Sequence, residues 1–303
     1  MKQLSMVLSC SVMLFACKGK NSNGTQPETL QADTAIKAAA IVAPELYTDL
    51  YGNWVGTNTV TSYDEEKFKG QYESRLNIII KQITDSGVVA QSVVNGNSRL
   101  MHGSVSRTGD QYSFVMDEPG DDKYDGRFEF SISGDTLSGK WQPYDKTLAT
   151  KTTEYQLTKK PFVYNASLML PQDWDYIDYS NFKEKKETYK DETSGVTDTI
   201  VNTFYRSASE KVYTINSSRQ RLTEKDVKNL RKLDLQILRN TIFARHGYTF
   251  KSRGVRQFFD QVDWYIPVSD NIEADLSQVE KDNIALLTRF EKYAEDNYDT
   301  FGR

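Results

Sequence analysis

Thiols and imidazoles are scarce in this chain of 303 residues, which holds two cysteines and two histidines. Both cysteines, Cys10 and Cys17, lie in the N-terminal segment. The remainder therefore supports no disulfide scaffold, thiol nucleophile or cysteine-ligated zinc. His102 and His246 come from distant segments and leave a catalytic zinc centre at most two imidazoles. HExxH, GxSxG and the GxxxxGKS/T phosphate loop do not occur. The SNFK stretch, Ser180 to Lys183, fits the spacing of serine-lysine acyltransferases, but their partner motifs are missing. A basic excess is missing as well: the net charge is -4, which argues against nucleic acid as a partner. No catalytic residue, metal ligand or cofactor site is nominated from these absences, and the chain reads as non-enzymatic.

What is present begins with Lys2 followed by LSMVLSCSVMLFA, an apolar run too short to span a membrane and of the length of a secretory signal. LFAC resembles the lipobox of bacterial lipoproteins. That resemblance implies removal of residues 1–16 and acylation of Cys17, and two or three acyl chains suffice for stable anchoring. Residues 17–46, with KGKNSNGTQPETLQ at their start, have the composition of a flexible tether. Asp33 to Ala43 is a candidate short helix ahead of Pro44. No acidic cluster follows Cys17, which leaves the periplasmic face of the outer membrane as the expected location.

From residue 47 to 160 the pattern is short alternating runs separated by turn residues, the mark of an antiparallel β domain. The runs start at GNWVGTNTV, SRLNIIIKQIT, VVAQSVV, SRLMHGSVSRT, QYSFVMD, RFEFSIS, TLSGKWQPY and TTEYQL. Asp85-Ser86-Gly87, Asn95-Gly96-Asn97, Gly109-Asp110 and Gly134-Asp135 supply hairpin turns, so an up-and-down order of eight strands is expected. Gly52-Asn53-Trp54 on the first strand resembles the opening of lipocalin-like barrels, in which the tryptophan closes one end; a generic barrel or sandwich is the alternative. The inward set Leu76, Ile78, Ile80, Tyr112, Phe114, Met116, Phe128, Phe130 and Ile132 is bulky and favours a filled core over a small apolar ligand, though barrels of this size accommodate either. Glu118 to Gly126 reads as a solvated loop, because EF-hand spacing fails at Lys123 and Ile132.

Residues 161–220 are rich in charge and tyrosine. KEKKETYKDETSG reads as an exposed loop, and Thr199 to Ser207 and Lys211 to Asn216 as strands. Their hairpin either packs on the C-terminal module or completes the barrel's outer surface.

The C-terminal stretch, 221–303, carries three amphipathic helices. Leu235, Leu238 and Ile242 form the stripe of the first, which Gly247 ends with Tyr248 packing back on it. Thr223 with Asp226 has the form of a capping box. Ser252 is the candidate cap of a second helix bearing Val255, Phe258, Phe259 and Val262. Ser277 with Glu280 opens a third, with Ile284, Leu287, Phe290 and Ala294 as its stripe. ILRNTIFARHGYTF, followed by VRQFF and DWY, resembles the YARHG domain, a small helical module of bacterial envelope proteins, with Phe243 in the first motif position. The resemblance implies a location and a helical fold, and no activity. The motif set is Arg239, Asn240, Phe243, Ala244, Arg245, His246 and Gly247 with Trp264 and Tyr265, and a structural role is expected for it. On a helical wheel Arg239 and His246 fall within the apolar stripe and Arg245 on its flank. Arg239 is then expected to pair with Asp260 or Asp263, and His246 to serve the exposed carbonyls of the helix end. Residues 221–256 are mostly basic and 260–299 mostly acidic, so the halves either pair with each other or leave an anion-binding face.

The fold class expected is α+β multidomain, a lipocalin-like eight-stranded barrel followed by a small YARHG-like helical domain. The function expected is that of a lipid-anchored binding or interaction module of the cell envelope, with the membrane and an envelope protein or glycan as partners. An envelope hydrolase acting on peptidoglycan or glycans is the rival, and it needs a carboxylate pair brought together by folding.

Overall fold

Period-two alternation from residue 52 to 159 forces one set of side chains to one face of each strand, and seven successive hairpins then roll that face inward. The computed structural model describes residues 43–296 except 174, together with the backbone of 298 and 299. The signal segment, Cys17, most of the tether and the candidate helix before Pro44 lie outside them. The strands are β1 (Gly52–Tyr63), β2 (Glu73–Thr84), β3 (Gly87–Val94), β4 (Asn97–Thr108), β5 (Gln111–Asp117), β6 (Gly126–Ser133), β7 (Thr136–Pro143) and β8 (Thr150–Lys159). Each pairs antiparallel with the next, and β8 returns to β1, closing an up-and-down barrel. All eight expected strands are present, and the turns at Gly87, Asn95-Gly96, Gly109 and Gly134 take positive φ.

The barrel is filled by its own side chains. Leu76, Ile78, Ile80, Phe114, Met116, Phe128, Phe130 and Ile132 are all buried in one cluster, and Tyr112 packs at its edge. Trp54, 1 % exposed, donates from Nε1 to the Leu50 carbonyl at 2.9 Å. It is thereby tied to the 3-10 turn Thr48–Leu50. The Glu118 to Gly126 loop is more ordered than a solvated hairpin. Asp117 turns outward to Arg127 and Tyr144, whereas the buried Glu118 accepts from Ser92 Oγ at 2.9 Å and the Gly126 N–H at 2.8 Å. Asp125, also buried, is held by Arg99 and the Gly120 and Asp122 N–H groups.

After the barrel comes a long hairpin, β9 (Ile177–Lys190) and β10 (Thr197–Ser207), with the two-residue strand β11 (Tyr298–Asp299) on its far edge. KEKKETYK is strand here and not loop. Its residues are exposed on both faces, so the apolar alternation that marks a half-buried strand never appears in its sequence. Lys211–Thr214 is a short helix, α1, where a strand was expected.

The C-terminal helices follow as α2 (Glu224–Val227), α3 (Lys232–Arg245), α4 (Arg253–Phe259) and α5 (Gln278–Glu291). Capping boxes stand at Thr223/Asp226 and Ser277/Glu280 as expected. Helix α4 is shorter than its stripe implied: it ends at Phe259, and the buried Val262 follows it. Helix α3 is central and buried on two sides. Leu235, Leu238 and Ile242 pack against Leu287 of α5, while Leu233, Ile237 and Ala244 join a second cluster with Phe258 and Phe259 of α4.

The helical region docks on the outer wall of β1, β2 and β3. Val55, Asn77 and Val93 stand in one cross-strand row there, all essentially inaccessible. Asn77 Nδ2 donates to the Pro267 carbonyl at 2.9 Å, and Arg75 donates to the carbonyls of Tyr265 (3.2 Å) and Asp263 (2.8 Å). Barrel and helices are thus joined by a built contact, with buried donors matched to carbonyls of the segment after α4.

Candidate functional site

The motif residues form a structural node. Gly247 has φ +70°, its N–H donates to Ala244 O and that of Tyr248 to Phe243 O, which together make a Schellman cap. The rings of Phe243 and Tyr248 lie 5.7 Å apart. A Cβ on Gly247 would stand 2.5 Å from Val268 Cγ2 and 2.8 Å from the Ile266 carbonyl, so the glycine is required by packing as well as by φ. Ala244 and Asn240 are buried on α3. Trp264 Nε1 donates to the Met169 carbonyl at 2.8 Å, and Tyr265, buried, donates its hydroxyl to the Tyr248 carbonyl at 2.7 Å.

The charged members depart from the wheel. Arg239, 24 % exposed, pairs with Glu291 of α5 at 2.9 Å and not with Asp260 or Asp263. The inward cation is Arg245, 2 % exposed, which donates to the Leu168 carbonyl (2.8 Å) and Ser218 Oγ (3.0 Å). Burial pushes its guanidinium down to about 10, still charged at neutral pH. The wheel misses this because the chain around Leu168 and Ser218, not another helix, covers that flank of α3. His246 turns to Glu280 instead of the helix-end carbonyls. Its Nε2 lies 3.1 Å from both carboxylate oxygens, and the Tyr164 ring stacks on the imidazole at 4.2 Å. A carboxylate only accepts, so Nε2 carries the proton. Glu280 also accepts from Tyr164 Oη and from the N–H and Oγ of Ser277. Burial raises its carboxyl, but the donors from His246 and Ser277 outweigh that and hold it at about 2. Arg221 also pairs with Asp282, and Arg289 of α5 with Glu224 of α2.

A concavity that can receive a ligand lies elsewhere. Arg206 of β10 pairs with Asp178 and Tyr205 with Phe182, so Tyr179, Ser180 and Asn181 are looped out of the β9 ladder. A bulge of this kind re-aims side chains, and this one lines a cleft of about 870 Å³. Opposite it stand Ser252, Arg253, Gly254, Gln257 and Gln261 from the start of α4 and beyond, and Gln71 from the chain leading into β2. Tyr176 and Phe258, both buried with rings 5.7 Å apart, form part of the wall.

Asp178 fixes this arrangement from beneath. It is buried and accepts from Arg206 (Nε at 3.0 Å, with a second bond from Nη2), Asn181 Nδ2 (2.7 Å), Gln257 Nε2 (2.8 Å) and the Ser180 N–H (2.9 Å). Burial alone would raise the carboxyl; the donors from Arg206, Asn181 and Gln257 hold it below its ordinary value. With their amide nitrogens donating to Asp178, Asn181 and Gln257 turn their oxygens to other donors, and Gln257 Oε1 accepts from Ser180 Oγ at 3.4 Å. Gln71 Oε1 is buried and has no hydrogen-bond partner. Ser180 faces the cleft, but Lys183 is not part of its lining, so the S-x-x-K pair does not assemble there.

No sequence motif marked this cleft. Its residues come from three distant segments and are common polar types; the bulge that gathers them is visible only in the pairing register. His102 is an exposed position on β4. Among the described residues no three His, Cys, Asp or Glu side chains are grouped to hold a metal ion, and no helix is long and apolar enough to cross a membrane. No curated protein and no solved structure matches the chain. Residues 210–292 match the YARHG domain family, and the chain therefore carries a C-terminal YARHG domain behind a closed eight-stranded antiparallel barrel.

Proposed function

We propose that this is a lipid-anchored protein of the bacterial cell envelope that binds, and does not transform, a partner in the cleft between the β9 bulge and α4. The observation that carries the reading is the fixed amide array over Asp178. Preorganised polar groups in a concave site supply orientation and specificity to a bound molecule. The rival reading, a hydrolase of glycans or peptidoglycan, calls for two carboxylates flanking the scissile bond. The cleft lining contributes one, Asp175, while Asp178 is committed to Arg206 and the amides. The barrel's filled interior likewise favours a surface site over an enclosed apolar ligand. Envelope location is supported by the YARHG domain and by the LFAC sequence at Cys17, and the periplasmic face of the outer membrane by the absence of acidic residues just after it.

Two experiments test this. Cys17→Ala moves the protein from membrane to soluble fraction and abolishes incorporation of a fatty-acid probe; unchanged membrane association overturns the anchor. A photo-crosslinking residue at Gln261, a cleft position, gives a discrete adduct in intact envelopes, and one at Lys140 on the outer wall of the barrel does not. Equal adducts from both positions, or none from Gln261, overturn the cleft as the binding site.

A further inference from the structure

The chemistry of the cleft lining specifies its occupant more narrowly than its volume does. Two charged side chains line it, Asp175 and Arg253, so the lining has no net charge. The guanidinium of Arg253 is turned to the carbonyls of Lys69 (2.9 Å) and Gly70 (3.5 Å), which leaves little cationic attraction for a phosphate or carboxylate. Nor is the wall suited to an acyl chain: four side-chain amides, Gln71, Asn181, Gln257 and Gln261, and two hydroxyls, Ser180 and Ser252, interrupt it. An amide oxygen accepts and an amide nitrogen donates within one planar group, which is the complement of neighbouring hydroxyls that both donate and accept. The acceptor kept by Asn181, the unpartnered Gln71 Oε1, and the second lone pair of Gln257 Oε1, whose first receives Ser180 Oγ, are what a polyhydroxylated ligand satisfies.

An aromatic face stands beside these groups. Tyr179, the first residue of the bulge, is 54 % exposed, and its ring is braced edge-on against Tyr205 at 5.2 Å. A tyrosine so placed offers an apolar face and a polar rim, and the C–H face of a pyranose packs on such a ring while its equatorial hydroxyls reach the amides. At about 870 Å³ the cleft lies in the roughly 300–1,000 Å³ range of small-molecule sites, enough for more than one sugar ring.

From this juxtaposition of amides, hydroxyls and an exposed tyrosine around an uncharged cleft, we infer that the site binds an uncharged oligosaccharide segment. The inference rests on the cleft being the binding site. It fails separately if the cleft crosslinks to a partner in envelopes but takes no sugar.

Gly254 provides a clean block. An added Cβ there meets Ser180 Oγ and Ser252 Oγ at 3.9 Å and nothing closer, so a larger side chain enters the cleft without displacing backbone. Leucine is also a better helix former than glycine, so Gly254→Leu leaves folding intact. Calorimetric titration of the full chain in detergent uses three probes: chitotetraose, maltotetraose and the charged tetramer of galacturonic acid. The expected result is saturable binding of a neutral tetramer, about tenfold weaker in Tyr179→Ala, absent in Gly254→Leu, and with an unchanged melting temperature in both. Silence with both neutral tetramers overturns the inference, as does preference for the galacturonate or binding that survives Gly254→Leu. Should Gly254→Leu lower the melting temperature, the exposed variants Tyr179→Ala and Gln261→Ala decide: undiminished affinity in both overturns the assignment.

Discussion

Replacing Glu280 by glutamine keeps the shape of the side chain and removes the charge that joins α3, α5 and Tyr164. The carboxyl sits at about 2 in the folded protein against an ordinary 4.5, an interval that corresponds to about 3 kcal/mol of stability at neutral pH. Glu280 is fully buried, so solvent screening takes little from this figure. Because the folded value is depressed, the contribution is complete above pH 4.5 and is lost as the pH falls from there towards 2. Urea unfolding of the full chain should therefore show Glu280→Gln destabilised by about 3 kcal/mol at pH 7, with a melting temperature lower by roughly 6–12 °C. At pH 3 the difference from the unchanged protein should shrink by about half. A loss of equal size at both pH values would mean that packing, not the charge received from His246 and Ser277, holds the node. A loss below about 1 kcal/mol at pH 7 would refute the account of the motif as a structural clamp.

Asp260 tests the opposite sign. Burial pushes it up to about 6 from 3.8, against the Arg75 N–H and Arg256, so its contribution is present below pH 3.8 and lost as pH rises through 6. Asp260→Asn should flatten stability between pH 4 and 6 and raise it at pH 7 by as much as about 3 kcal/mol, read by urea unfolding. Arg245→Ala should cost about 3 kcal/mol through lost hydrogen bonds and packing, whereas Arg239→Ala, at a partly exposed pair, should cost about 1 kcal/mol or less; thermal melts of the two variants reverse the ranking that the helical wheel alone gives. Gly247→Ala should cost about 1–2 kcal/mol in backbone strain and a further 1–3 kcal/mol or so from the clash with the Ile266 carbonyl and Val268, measured by chemical denaturation.

The barrel was legible because a strand with one wet and one dry face writes its own period into the sequence. Five of the seven hairpins also carry a residue that takes positive φ, as at Asn95-Gly96. Helices α3 and α5 were legible from their ends, through Gly247 and through Ser277 with Glu280. The β9–β10 arm was not. With both faces of Lys183 to Lys190 in solvent, nothing selects apolar residues at alternate positions, and charge density there imitates a loop. The ranking of Arg239 over Arg245 failed for a different reason: a wheel registers the apolar stripe of the helix alone, and the flank that carries Arg245 is covered by the chain around Leu168 and Ser218. Illegible in principle was the cleft, since the register shift that expels Tyr179, Ser180 and Asn181 depends on which residue of β10 faces which of β9. The Asp178–Arg206 pair that anchors it joins residues with no local signature.

The central claim is that this cleft is where the protein meets its partner, and hydrogen–deuterium exchange of the full chain tests it most directly, in its native membrane against the detergent-purified form. The account predicts that amides of residues 176–181 and 252–261 exchange more slowly in the membrane, while those of 183–201 on the exposed arm and of the barrel's β5–β7 wall are unchanged. Protection confined to the arm or to the barrel wall, with the cleft segments unaltered, would contradict it.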